Sequence, residues 1–223
     1  MKPKLYQYAA CPFCNKVRTI LQYKGIDFET IEVHPLKKKE ISFSPDYRAV
    51  PIYIDSRGVQ VNDSTPIMRH IDQEFPEKKV FSKDAEETQW LAWSEKFVKG
   101  LPTAIYDTLS NSLQSFNYIT KVGKFGWFEK ISIKLTGAFV MTLVAKKIRK
   151  REQIDNPQLF LREKAREWAD GLQGKPFMGG DKPNGADLAV YGITKSVAGL
   201  QAGQILDENL IFAGWRKRVE SLL

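Results

Sequence analysis

Apolar and polar positions alternate at the start of the chain. Residues 4–8, Lys-Leu-Tyr-Gln-Tyr, predict a strand. Val17, Ile20 and Leu21 then recur at helical spacing up to Gly25, a stop signal, predicting a helix over 13–24. Residues 28–33, Phe-Glu-Thr-Ile-Glu-Val, alternate as a half-buried strand does and end at His34-Pro35. A short helix is expected near 37–41. Two further strands, 50–54 and 59–61, are joined by Ser56-Arg57-Gly58, a hairpin signal. A third helix starts near Ser64 and carries Ile67, Met68 and Ile71 on one face. The order βαβ–α–ββα predicts a small α/β layer fold.

From Thr88 the pattern becomes helical throughout. Trp90, Leu91, Trp93, Phe97, Val98, Leu101 and Ile105 form one stripe, and Leu159, Leu161, Ala165, Trp168 and Leu172 form another. Final helices are expected over 187–200 and 206–222. The charged segment 77–84 reads as the linker, dividing the chain into an α/β domain, 1–78, and an all-α domain, 84–223. Asn184 and Asp187 form a capping box for the helix that follows, so Asp187 is read as structural.

Composition is that of a packed protein: 223 residues, 43% apolar and 27% charged. The net charge of +8 is local. Residues 121–151 hold nine basic residues and a single acid, Glu129, so the rest of the chain is neutral overall. This excludes a molecule coated in positive charge for nucleic acid. Just before the basic end lies an apolar run, 135–145, of eleven residues. A spanning helix needs about twenty. The run is read as a helix buried in the core or at a subunit contact, with a solvated basic end. An interfacial basic helix is the alternative, so at most peripheral membrane contact is expected. No signal peptide is visible before the first strand.

The two cysteines of the chain stand together in Cys11-Pro12-Phe13-Cys14, where the first strand ends and the first helix begins. A C-x-x-C pair there reads as a thioredoxin-type redox site. Helix-end N–H groups and the helix dipole favour a thiolate. Cys11 is the expected exposed nucleophile, and Cys14, one turn deeper, the resolving thiol. A zinc site would need about four ligands, and His34 and His70 match no metal spacing. A structural disulfide closing so small a loop would do little to the unfolded chain. Two inert core cysteines fit poorly at a helix start. No metal is expected. The spacing suggests a reducing, cytoplasmic setting.

Several segments together resemble the glutathione transferase superfamily with a glutaredoxin-like N-terminal domain. They are Cys-Pro-Phe-Cys after a strand, Val50-Pro51 before another, Asn62-Asp63-Ser64 at a helix start, and the helical second half. Further stretches look like the type 2 prostaglandin E synthase family within it: Tyr47-Arg48-x-Val50-Pro51-Ile52, Gly137-Ala138-Phe139-Val140-Met141, and Pro176-Phe177-Met178-Gly179-Gly180 with Ala186-Asp187-Leu188 beyond. The resemblance runs from about Leu5 to the C-terminus. It implies a thioredoxin-like domain followed by an all-α glutathione-transferase-like domain. It also implies glutathione as cofactor, with haem as a further ligand suggested by resemblance alone, and a homodimer. The expected activity is endoperoxide isomerisation or thiol–disulfide exchange through Cys11, and the alternative is a non-catalytic glutathione or haem binder.

Glutathione would need a strand edge, an anion site and a thiol-handling group. The resemblance implies a cis peptide at Pro51 that leaves the Val50 backbone free to pair with the tripeptide. Ser64, with the free N–H groups of its helix start, suits a carboxylate, and Asp63 suits an ammonium. Tyr8 is associated with the catalytic cysteine in the look-alike family, where its phenol would hydrogen-bond the thiolate. The electrophilic or peroxide substrate has no motif of its own.

Overall fold

The computed structural model describes residues 1–35, 37–82, 84–108, 111–113, 115 and 127–223, with backbone alone over 127–138. The elements run β1 (Lys4–Gln7), α1 (Pro12–Lys24), β2 (Glu29–Glu32), a 3-10 turn (Lys39–Ile41), β3 (Ile52–Ile54), β4 (Gln60–Asn62) and α2 (Ser64–Glu74). The helices α3 (Ala85–Ile105), α4 (Trp127–Glu152), α5 (Pro157–Leu172), α6 (Gly185–Lys195), α7 (Gln201–Asp207) and α8 (Leu210–Glu220) follow. They fall into two compact units. One comprises Met1–Leu91, Phe177–Ser196 and Arg218–Leu223, the other Ala92–Pro176 and Val197–Lys217. In sequence the strand-bearing part ends before the linker at 77–84, but the compact units interleave along the chain.

In the first unit the sheet order is β2-β1-β3-β4, with β1 parallel to β2 and the other pairs antiparallel. Leu5 of β1, Ile52 and Tyr53 of β3, Val17, Ile20 and Leu21 of α1, and Ile67, Met68 and Ile71 of α2 are all buried. Proline at its first turn starts α1, and Gly25 (φ 69°) ends it. There Gly25 N–H donates to Gln22 and Ile26 N–H to Leu21, a left-handed cap that suits glycine. Helix α6 is buried on every side, as its nearly all-apolar sequence requires. Gly192 lets it lie on α1: a Cβ there would meet the Lys16 backbone at 2.7 Å.

A buried ion pair anchors the end of α2. Lys24 Nζ reaches Asp72 Oδ1 at 2.7 Å and donates to the carbonyls of Phe75, Glu77 and Lys78. Asp72 in turn accepts the N–H groups of Val80 and Phe81.

In the second unit Trp168 stacks obliquely between Trp93 and Trp215, with centroids 5.5 and 4.8 Å away, and Phe212 packs on Trp215. The helix expected over 187–200 stops at Lys195, with Gly199 at φ 81° before α7. The one expected over 206–222 is divided, because Asn209 turns its side chain to cap Ile211 and Phe212 at the start of α8.

The apolar run 135–145 is not a buried core helix where its side chains are described. Phe139, Val140, Leu143 and Val144 are 38–59% exposed, and Ala145 alone faces inward. Lys146, Lys147, Lys150 and Arg151 beyond them are exposed. Among the described residues no helix is long and apolar enough to cross a membrane. Lys121 and Lys124 lie outside the described residues.

Candidate active site

Three segments meet at one end of the sheet. β1 leads into Tyr8 and Cys11. β3, antiparallel to it with Tyr6 opposite Ile52, begins just after Val50-Pro51. β4, with Asn62 opposite Ile52, leads into Asp63 and Ser64. Tyr8, Cys11, Tyr47 and Val50 pack in one cluster around buried Cys14.

Cys11 is the N-cap of α1, in extended backbone, with no side-chain cap and proline next. It is partly exposed and Cys14 is buried, and both are free thiols. The hydrogen bond from the Cys14 thiol holds the Cys11 pKa below the ordinary thiol value against the opposing effect of burial. The backbone N–H groups of Cys14 and Phe13 and the charge of Arg18 add to the lowering. Cys14 is pushed well up, first by burial and then by donating to Cys11. The thiol with the lowered pKa is thus the accessible one.

Arg18 carries no sequence motif, yet it braces the approach to Cys11. It donates to Gln7 Oε1 at 2.6 Å, to the Ala9 carbonyl at 2.5 Å and to Asn15 Oδ1. Glu32 accepts the Ala9 N–H from the other side at 2.7 Å. The available signal was spacing: Arg18 lies seven residues after Cys11, two turns along one helix face.

Tyr8 stands beside the cysteines, but its phenol makes no hydrogen bond to either sulfur among the described residues. Its backbone N–H serves Cys14 instead. Burial, then the charges of Cys11 and Cys14, raise the phenol pKa, so it stays protonated. Tyr47, quoted within a motif but given no role, has its phenol against the Asp63 backbone N–H and within electrostatic reach of both cysteines. It connects the Cys11 cluster to the start of α2.

The Val50-Pro51 peptide is cis. Neither the N–H nor the C=O of Val50 has a hydrogen-bond partner among the described residues, so a main-chain edge is open there. Asp63, not Ser64, is the N-cap of α2. It lies at φ 68° and its side chain accepts the Ser64 N–H at 2.6 Å. Ser64 Oγ, buried on a residue 1% exposed, has no hydrogen-bond partner among the described residues. Lys16 Nζ reaches Thr65 Oγ1 at 2.8 Å, tying α1 to the same helix start. The site therefore offers a thiol of lowered pKa, an open strand edge and a helix N-terminus with an unused hydroxyl.

Among the described residues one cluster has metal-like donors: Asp55, His70 and Glu74, after the far end of β3. Its oxygens are already engaged. Asp55 accepts from Arg57, Val59 and His70, and Glu74 from Tyr53 and Ser56. It braces the β3–β4 hairpin onto α2.

The family described as glutathione S-transferase, N-terminal domain, matches residues 5–79. Prostaglandin E synthase 2 of Mus musculus is 32% identical over 97% of this chain and 69% of its own length. The Danio rerio protein of that name is 32% identical over 99% and 71%. Among solved structures, the beta-etherase of Sphingobium sp. strain SYK-6 superposes with a TM-score of 0.68 over 99% of this chain and 96% of its own, at 18% identity. A glutathione S-transferase from Rhodospirillum rubrum F11 gives 0.67 over 98% and 88%, at 16%. At such identities the superpositions speak to fold alone, and that fold is the glutathione-transferase one.

Proposed function

The chain belongs to the prostaglandin E synthase 2 family of the glutathione transferase superfamily, and on that footing we propose that it is a glutathione-dependent thiol enzyme working through Cys11. The carrying observation is the asymmetry of the pair: an accessible Cys11 with a lowered pKa, sustained by a buried Cys14 that stays a thiol. A passive binder of glutathione has no need of that asymmetry.

Glutathione would pair its backbone with the Val50 edge and set a carboxylate against Ser64 Oγ and the first N–H groups of α2. In thiol–disulfide exchange, the Cys11 thiolate attacks a glutathionyl disulfide. One S–S bond forms to Cys11, the old one breaks, and the departing thiolate takes a proton. A glutathione thiol then attacks the glutathionyl sulfur, forming oxidised glutathione and freeing the Cys11 thiolate; by the other route Cys14 attacks the Cys11 sulfur, expelling glutathione and leaving a Cys11–Cys14 disulfide that two further glutathiones reduce. In endoperoxide isomerisation the O–O bond opens, one oxygen ends as a hydroxyl, and the carbon bearing the other loses its hydrogen to become a carbonyl. Electrons balance within the substrate and the thiol returns unchanged. Tyr8, protonated beside the cysteines, is placed to supply a proton.

Haem is suggested by resemblance alone. His70 is committed to Asp55, and His34 Nδ1 accepts the Lys37 N–H.

The test is turnover by purified protein with glutathione against a mixed disulfide, a generic electrophile and prostaglandin H. Activity on one of them that disappears in Cys11→Ser supports the reading. Glutathione binding without any turnover leaves the binding alternative standing and sinks the enzyme.

A further inference from the structure

We propose that the outer face of α4 is a docking surface for an anionic lipid bilayer. At about 100° per residue, Phe139, Val140, Leu143, Val144, Lys146, Lys147, Lys150 and Arg151 fall within roughly 160° of one helix face. All eight are exposed, whereas Ala145 and the half-buried Thr142 and Arg149 turn the other way. Arg149 is engaged with Asp107.

Along this face the chemistry is sorted by position. The four apolar side chains occupy about a turn and a half, and the four cations about the next turn and a half. Glu152, paired to Arg151 at 2.8 Å, is the acid among the described side chains of this helix. Lys146, Lys147 and Lys150 have no carboxylate partner among the described residues. A bilayer interface matches both halves: apolar side chains enter the acyl boundary while adjacent lysines stay at the headgroups. The apolar run is too short for crossing, so the helix lies on the surface.

A second copy of the chain fits less well. Four half-exposed apolar side chains fall short of the roughly 800 Å² per partner that a stable dimer buries. Antiparallel symmetric pairing would also set each copy's cations against the other's apolar side chains.

The experiment is co-sedimentation of the full chain with vesicles of phosphatidylcholine alone or mixed with phosphatidylserine, across a salt series. Binding should require phosphatidylserine and fade as salt rises. Lys146→Gln/Lys147→Gln/Lys150→Gln should lose partitioning by on the order of a hundredfold. Leu143→Asp should lose it with every cation in place. A control, Lys37→Gln/Lys39→Gln/Lys79→Gln, removes three exposed lysines elsewhere and should bind as the parent does. Melting curves establish that each variant is folded. The proposal is overturned by no binding at low salt, by equal loss in the control, or by salt-resistant binding to phosphatidylcholine alone. It is equally overturned if sedimentation velocity finds a dimer that Leu143→Asp dissociates while vesicles go unbound. That face would then belong to a second copy.

Discussion

The Cys14 thiol donates its proton to the Cys11 sulfur across one turn of α1, so one cysteine lowers the pKa of the other while its own rises. Alkylation rate against pH should give Cys11 a midpoint below the ~8.5 of a free thiol. Cys14→Ala removes the donor and should move the midpoint up, whereas Cys14→Ser retains a donor and should leave it low. Faster alkylation of Cys14 than of Cys11 would reverse the assignment.

Ser64→Ala should separate binding from folding. The Ser64 hydroxyl is buried and spends nothing on the fold, so its removal should leave the melting temperature unchanged or slightly higher. A hydrogen bond to a charged group contributes about 1.5–3 kcal/mol. Glutathione affinity by calorimetry should therefore weaken by at least about tenfold. Wild-type affinity in the folded variant would remove Ser64 from the site.

Asp72→Ala should be among the most damaging single changes in the first unit. It strands the Lys24 ammonium, whose side chain is 1% exposed, and leaves two buried N–H groups without their acceptor. Breaking a buried pair from one side costs about 3–5 kcal/mol. Denaturant melts should register a loss on that scale, and a loss under 1 kcal/mol would mean water reaches Lys24 readily.

Stability should also fall in acid through Asp55. Burial alone would raise its pKa, but the Val59 N–H, Arg57 and His70 outweigh that and hold it down to about 2, below its ordinary 3.8. A folded pKa below the unfolded one contributes stability that is complete above about pH 4 and lost as pH falls toward 2. Thermal melts between pH 5 and 2 should be flatter for Asp55→Asn than for the parent. Parallel curves would place the acid sensitivity elsewhere.

Local chemistry was legible in the chain itself. Alternation marked the strands, Gly25 ended α1 through a conformation that suits glycine, and Cys11 at a strand-to-helix junction implied a low-pKa thiol because helix-end N–H groups must point there. The Asn184–Asp187 capping box was equally readable, since its partners lie three residues apart.

What needed the tertiary structure were relationships between residues far apart in sequence or governed by burial. Arg18 joins the site only because α1 packs under the loop after β1. Tyr47 joins it because its phenol meets the Asp63 backbone N–H while its ring packs in the Cys11 cluster. Asp63 takes the cap position of α2, which leaves the Ser64 hydroxyl unused. What covers the outward face of α4 was illegible for the same reason. An apolar run states that its side chains gain by leaving water, but not whether this chain covers them, and that depends on packing no local pattern encodes.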